Sequence, residues 1–197
     1  MEYTTRERIL DAALVCFAEY GYKGTNLREL AAGMGLSKSA LYKHYESKEE
    51  IWSAVLDRME AYYNARFGSL QNLPPIPQST GELRTLTLRM LDFTMNDEKI
   101  LLTRKLLLTE QFHDERVRAQ ATEHFNVGLE QLFTKLFEGM MQNGSLQSGD
   151  PAMLAFAYTA PISTLILLCD REPQRKAEIM GKIEAFTEHF LRMHGRD

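Results

Sequence analysis

Apolar residues recur at helical spacing along nearly the whole chain, and no run alternates strictly enough to mark a strand. The first periodic stretch covers residues 5–20. Ile9, Ala13, Cys16, Phe17 and Tyr20 form its stripe, Leu10 and Leu14 widen it, and Gly21 is predicted to end it. A short second helix is predicted to open at Asn26, a good N-cap, with Glu29 three residues on completing a capping box and Leu27, Leu30 and Ala31 facing inward. Gly33 and Gly35 are expected to take the positive backbone angles that end this helix and turn the chain. Ser37 then caps a third helix in which Leu41 and Tyr45 point inward at i and i+4. Lys38, Ser39, Tyr42 and Lys43 are left outside, with Ala40 and His44 at the margins.

The pattern continues in six longer segments. A capping box of Ser47 and Glu50 opens a fourth helix, carrying Ile51, Trp52, Val55, Leu56, Met59 and Tyr63 toward Gly68. Residues 71–81 read as a linker, because Pro74, Pro75 and Pro77 forbid a helix there. A fifth helix is expected from Ser79 or Thr80, and a sixth after Asn96-Asp97. A seventh should run unbroken from Asp114 to about Gln142, where Asn143-Gly144 stops it. Asp150-Pro151 opens an eighth, and Pro173 separates it from a last helix ending near His194. The fold class is therefore all-α: an N-terminal three-helix unit with a helix-turn-helix, followed by a C-terminal helical bundle. The expected segments are 1–50, a connecting helix over 51–70, and 78–197.

Charge alters this picture locally. The net charge of −4 argues weakly against nucleic acid. Residues 23–48, however, carry five cations (Lys23, Arg28, Lys38, Lys43, Lys48) against two anions (Glu29, Glu46), a plausible phosphate-facing patch. A third helix that shows donors, small side chains and one flat aromatic suits entry into a DNA major groove. There Lys38 and Lys43 would donate to guanine or phosphate, Ala40 would touch a thymine methyl, and Lys48 would hold a phosphate from the first turn of the fourth helix. Cys16 and Cys169 lie in apolar runs and read as free thiols of a reducing cytoplasm. The start, MEYTTRERI, has no apolar signal segment. Residues 151–169 carry no charge, but they are slightly short and include Pro161 and several hydroxyls, so a buried helix rather than a membrane span is expected.

Two rival classes stand beside this reading. Glu110 and His113 stand at i and i+3, as in helical di-iron bundles, but a second Glu-x-x-His is missing. No phosphate loop, nucleophile elbow or CxxC occurs. No enzyme activity, catalytic residue, metal or cofactor is therefore expected. A helical adaptor independent of DNA is the other alternative, and the basic outer face of the third helix speaks against it.

The stretches RILDAALVCFAEYGYKGT (8–25) and LRELAAGMGLSKSALYKHYESKEEI (27–51) resemble the helix-turn-helix of TetR-family transcriptional regulators, over roughly the first quarter of the chain. Ala40, Lys43 and Tyr45 depart from the commonest pattern, so no operator sequence carries over. The resemblance implies a repressor that contacts double-stranded operator DNA through Thr25, Arg28, Ser37, Lys38, Ser39, Ala40, Tyr42, Lys43, His44 and Lys48. It further implies release by a small molecule held in the C-terminal helices. Their long, flexible and aromatic side chains give a candidate lining of Met90, Phe93, Arg104, Leu107, Gln111, Phe112, His113, Phe125, Asn126, Leu129 and Tyr158. A two-fold homodimer is expected through the last two helices, at Phe156, Ala160, Ile166, Ile179, Ile183, Phe186 and Phe190. The eighth helix is apolar on nearly every side and must be covered.

Overall fold

The computed structural model describes residues 4–68 and 73–196, so Gln71 and Asn72 of the expected linker lie outside the described residues. Among the described residues ten α-helices follow in order: α1 (Thr5–Gly24), α2 (Leu27–Gly33), α3 (Lys38–Leu41), α4 (Lys48–Phe67), α5 (Thr80–Asn96), α6 (Glu98–Glu110), α7 (Glu115–Thr122), α8 (Gly128–Gln142), α9 (Pro151–Arg171) and α10 (Lys176–His194). Extended pairing among the described residues is limited to an isolated bridge between Leu146 and Gly195.

The chain forms two compact units. The first comprises residues 1–66 and 98–121, and the second residues 67–97 and 122–197. These units do not follow the linear segments 1–50, 51–70 and 78–197. α6 and most of α7 pack with the N-terminal helices, because α6 lays Ile100, Leu106 and Leu107 inward and runs along α1. Ion pairs reinforce that contact: Lys99 meets Asp11 at 2.9 Å, and Arg58 of α4 meets the same carboxylate at 3.1 Å. The buried set Ile9, Ala13, Phe17, Leu30, Leu41, Ile51 and Leu56 fills the unit, each large side chain contributing about 1.5–3 kcal/mol.

α1 runs past its predicted end, but with a kink. Thr4 caps it in a full capping box with Glu7, and Gly21 interrupts it at φ 70°. A Cβ at Gly21 would lie 2.5 Å from Oε1 of Glu110, the same atom that accepts the Tyr22 N–H at 3.3 Å. Gly21→Ala is therefore expected to destabilise the first unit by about 1–3 kcal/mol, through the strained φ and the displaced carboxylate. Denaturant unfolding checks this, and an unchanged midpoint would contradict it.

Three local expectations need correction. Positive φ occurs at Gly35 (69°) but not at Gly33. Asn26 caps α2 by accepting from the Arg28 N–H at 2.9 Å, while Glu29 accepts from the Asn26 side-chain amide rather than the backbone, so the reciprocal box is absent. The single helix expected over 114–142 is broken by a π-helical turn at Glu123–Val127. There the chain is compressed enough that a Cβ at Gly128 would stand 2.7 Å from the Glu123 carbonyl oxygen, so glycine alone fits.

The second unit packs α8 against α9, and α10 against both α9 and α5. At its centre Tyr158 is fully buried among Phe133, Phe137, Phe186 and Phe190, with ring centroids 4.5–6.0 Å away. Its hydroxyl shares a hydrogen bond with Thr87 Oγ1 at 2.8 Å and donates to Thr187 Oγ1 at 3.4 Å. Pro161 lies inside α9 without ending it.

Candidate DNA-reading surface

The reading hairpin is built from local signals. Ser37 Oγ accepts the Ala40 N–H at 3.0 Å and lies 2.9 Å from Ser39 Oγ, which starts α3. Leu41 and Tyr45, 0% and 1% exposed, anchor the far side of the segment, one turn apart. The regular helix is a single turn, and Tyr42–His44 continue it as a turn rather than a helix. Tyr45 donates weakly to the Arg6 carbonyl at 3.4 Å, and the Arg6 guanidinium lies 4.6 Å from its ring. The inward anchors determine the outward set: Ser37, Lys38, Ser39, Tyr42, Lys43 and His44 are exposed, Ala40 is half-buried, and Arg28 is exposed on α2. Lys38 Nζ rests 5.6 Å from the Tyr42 ring centroid, so a cation and a flat aromatic stand together on this face. Side chains of these types have the donors that base-edge acceptors and phosphate oxygens require.

Two expected DNA contacts are occupied inside the protein. Thr25 is buried and donates its hydroxyl to the Gly21 carbonyl at 2.8 Å, tying the kink to the start of α2. Lys48 donates to the Thr25 carbonyl at 2.6 Å and lies 4.7 Å from the Tyr22 ring. Its ammonium holds the α1–α2 turn onto α4, where a charge-assisted bond is worth about 1.5–3 kcal/mol. The groups around it leave no local mark in the sequence. Tyr22 donates to Glu49 Oε1 at 2.6 Å. Burial first, then this carboxylate, push the Tyr22 hydroxyl up to about 12, so it remains a donor at neutral pH. Trp52 packs edge-on to Phe17 and donates Nε1–H to Asp114 Oδ2 at 3.0 Å. These partners are 27 and 62 residues apart, beyond the reach of any local pattern.

Glu110 and His113 differ in their surroundings. The Glu110 carboxylate is engaged at the α1 kink, His113 is exposed, and no cluster of three ligating side chains exists among the described residues.

The expected ligand-lining residues are divided. Arg104, Leu107, Gln111, Phe112 and His113 belong to the first unit, and Met90, Phe93, Phe125, Asn126, Leu129 and Tyr158 to the second. Phe112 is 78% exposed and His113 and Asn126 are exposed, so none of them lines an enclosed wall of its own unit. Tyr158 spends its hydroxyl on Thr87 and Thr187 and serves the core. A cavity of about 120 Å³ in the first unit is lined by other residues, among them Asp11, Arg58, Tyr62 and Lys99.

The expected dimer residues divide as well. Ile179, Ile183 and Phe190 are 0–5% exposed, closed within the chain's own core, and cannot meet a second chain. Ala160, Ile166 and Phe186 are half-buried, while Phe156 is 53% exposed beside Met153 at 62%. α9 is the one helix among the described residues long and apolar enough to cross a membrane, with mean hydropathy 1.9 and 28% of its most apolar window buried.

An all-helical chain with a capped, glycine-turned hairpin showing lysines, serines and a tyrosine outward is a helix-turn-helix DNA-binding protein. The comparisons narrow the class. Residues 9–55 match the family described as bacterial regulatory proteins, tetR family. The HTH-type transcriptional regulator AcrR of Shigella flexneri is 31% identical over 204 residues, 95% of this chain and 89% of the relative. The fold is also that of SmeT, the repressor of the Stenotrophomonas maltophilia multidrug efflux pump SmeDEF, with a TM-score of 0.68 at 23% identity over 98% of this chain and 92% of SmeT. A SmeT–triclosan complex aligns with a TM-score of 0.67 at 21% identity, over 98% and 92% of the two chains. The chain belongs to the TetR family and is a DNA-binding transcriptional regulator, not an enzyme.

Proposed function

We propose that the chain is a homodimeric repressor in the cytoplasm that binds a near-palindromic operator and leaves it when a small molecule binds. The observation that carries the DNA reading is the outward set of α3, held in place by the buried Leu41 and Tyr45. Lys38, Lys43 and Arg28 supply cations, Ser37, Ser39 and His44 hydrogen-bonding groups, and Ala40 and Tyr42 apolar contact. Lys48 and Thr25 tie the hairpin to α1 and α4, and the two further donors of the Lys48 ammonium are left for a phosphate. Dimer formation rests on α9. Met153, Phe156, Ala157, Pro161 and Thr164 share one helical face and are exposed, which favours a matching apolar partner. An identical α9 related by two-fold symmetry meets that need and gives the dimer two hairpins.

Ligand response is supported by the fold shared with SmeT, for which a triclosan complex exists. An aliphatic or aromatic compound with one polar or acidic group is the expected class, and it must bind better to a form that fits the operator worse. Linkage then requires operator DNA to weaken the ligand by the same factor.

Selection from a random-duplex library with the full chain tests the DNA reading. The expected outcome is an inverted repeat with half-site centres about one helical turn apart or somewhat more. Recovery of no common sequence at low salt would sink it. A thermal-shift screen tests the ligand response separately, since a compound at 100 times its Kd adds about 2.7 kcal/mol of stability. Hits that leave operator affinity unchanged would contradict the release mechanism.

A further inference from the structure

We infer that Asp114, remote in sequence from the reading hairpin, is a positioning residue for operator binding that acts through Trp52. This rests on the DNA-reading function proposed above.

Asp114 caps α7: its Oδ1 accepts the N–H of Arg116 at 2.8 Å and of Val117 at 3.0 Å. Its other oxygen accepts the indole N–H of Trp52 on α4 at 3.0 Å. Burial alone would raise this carboxyl, but the donors from Val117, Trp52 and Arg116 outweigh it and hold the group below the usual aspartate range. These donors favour the anion over the neutral acid.

From Trp52 a line of contacts reaches the hairpin. The indole is 5.1 Å from the Tyr22 ring and 4.8 Å from Phe17. Lys48 Nζ lies 4.7 Å from the other partner of that pair, the Tyr22 ring, and donates to the Thr25 carbonyl, one residue before the N-cap of α2. Glu110 grips the same tyrosine through its backbone N–H. Tyr22 is therefore fixed from the α6–α7 side by Glu110 and by Asp114 acting through Trp52, and from α4 by Glu49 and Lys48. The hairpin's short helices bury little on their own, so their angle depends on such external anchors. Arg116 strengthens the α7 end by donating to Ser53 Oγ at 2.8 Å and pairing with Asp57, both on α4.

Asp114→Asn separates this role from capping. The retained carbonyl oxygen still caps α7, while the new amide turns a donor toward the indole N–H. Trp52→Phe keeps an aromatic ring and removes the donor. Each is assayed as the full chain against a duplex recovered by the selection described above and against a scrambled duplex of the same composition. Both single variants are expected to lose about tenfold on the selected duplex and nothing on the scrambled one, with an unchanged salt slope. In a Trp52→Phe background, Asp114→Asn should cost nothing further. Trp52 is the chain's one tryptophan, so its emission should also shift in Asp114→Asn. Losses that multiply in the double variant, or fall equally on both duplexes, would assign Asp114 to general stability and overturn the inference. Failure of the wild-type chain to bind either duplex would instead overturn the DNA reading itself.

Discussion

Phe156→Glu is expected to give a folded monomer that no longer holds its operator. The side chain is 53% exposed in the single chain, so a carboxylate there costs the monomer little, whereas across a two-fold axis it faces its own copy in an apolar seam. Light scattering should move from twice the 22.6 kDa chain mass to once that mass, with helical circular dichroism unchanged. Operator affinity should fall by about 100-fold or more, because the second half-site then binds as a separate molecule. Ile183→Glu makes the contrast: Ile183 is 0% exposed, so a glutamate there should unfold the second unit rather than split a dimer. A wild-type monomer at micromolar concentration would contradict the assignment of the α9 face.

The second large effect is expected on α3 and the turn that follows it. Lys38 and Lys43 are both exposed beside Tyr42. Lys38→Ala or Lys43→Ala should each cost about 1–3 kcal/mol on the selected duplex and relax preference at particular positions, if the lysine donates to a base edge. A lysine that meets only phosphate should instead weaken every sequence alike and lower the salt slope by about one. Removing both should leave residual affinity close to that for random DNA. Binding that survives both substitutions would place the reading surface elsewhere.

The hairpin was legible because its signals are local. Asn26, Gly35 and Ser37 act within a few residues of where they stand, and Leu41 and Tyr45 fall on one side by helical geometry alone. What an apolar stripe faces is not local. The α10 stripe at Ile179, Ile183 and Phe190 reads like an interface, yet α5 and α9 of the same chain cover it, and periodicity is blind to which partner does so. The partner of Lys48 was hidden for a similar reason, since the carbonyl of Thr25 is 23 residues away and is set by the Gly21 kink. The π-helical turn was hidden because residues 114–142 keep an unbroken helical pattern. Gly128 was its one visible mark.

The central claim is that the exposed face of α3 reads DNA sequence. The most direct measurement is fluorescence anisotropy of the full chain at physiological salt, on the selected duplex and on its scrambled counterpart. A preference of about 10³-fold or more is expected, reduced to near unity when Lys38 and Lys43 are both alanine. Equal affinity of the wild-type chain for both duplexes would contradict the claim.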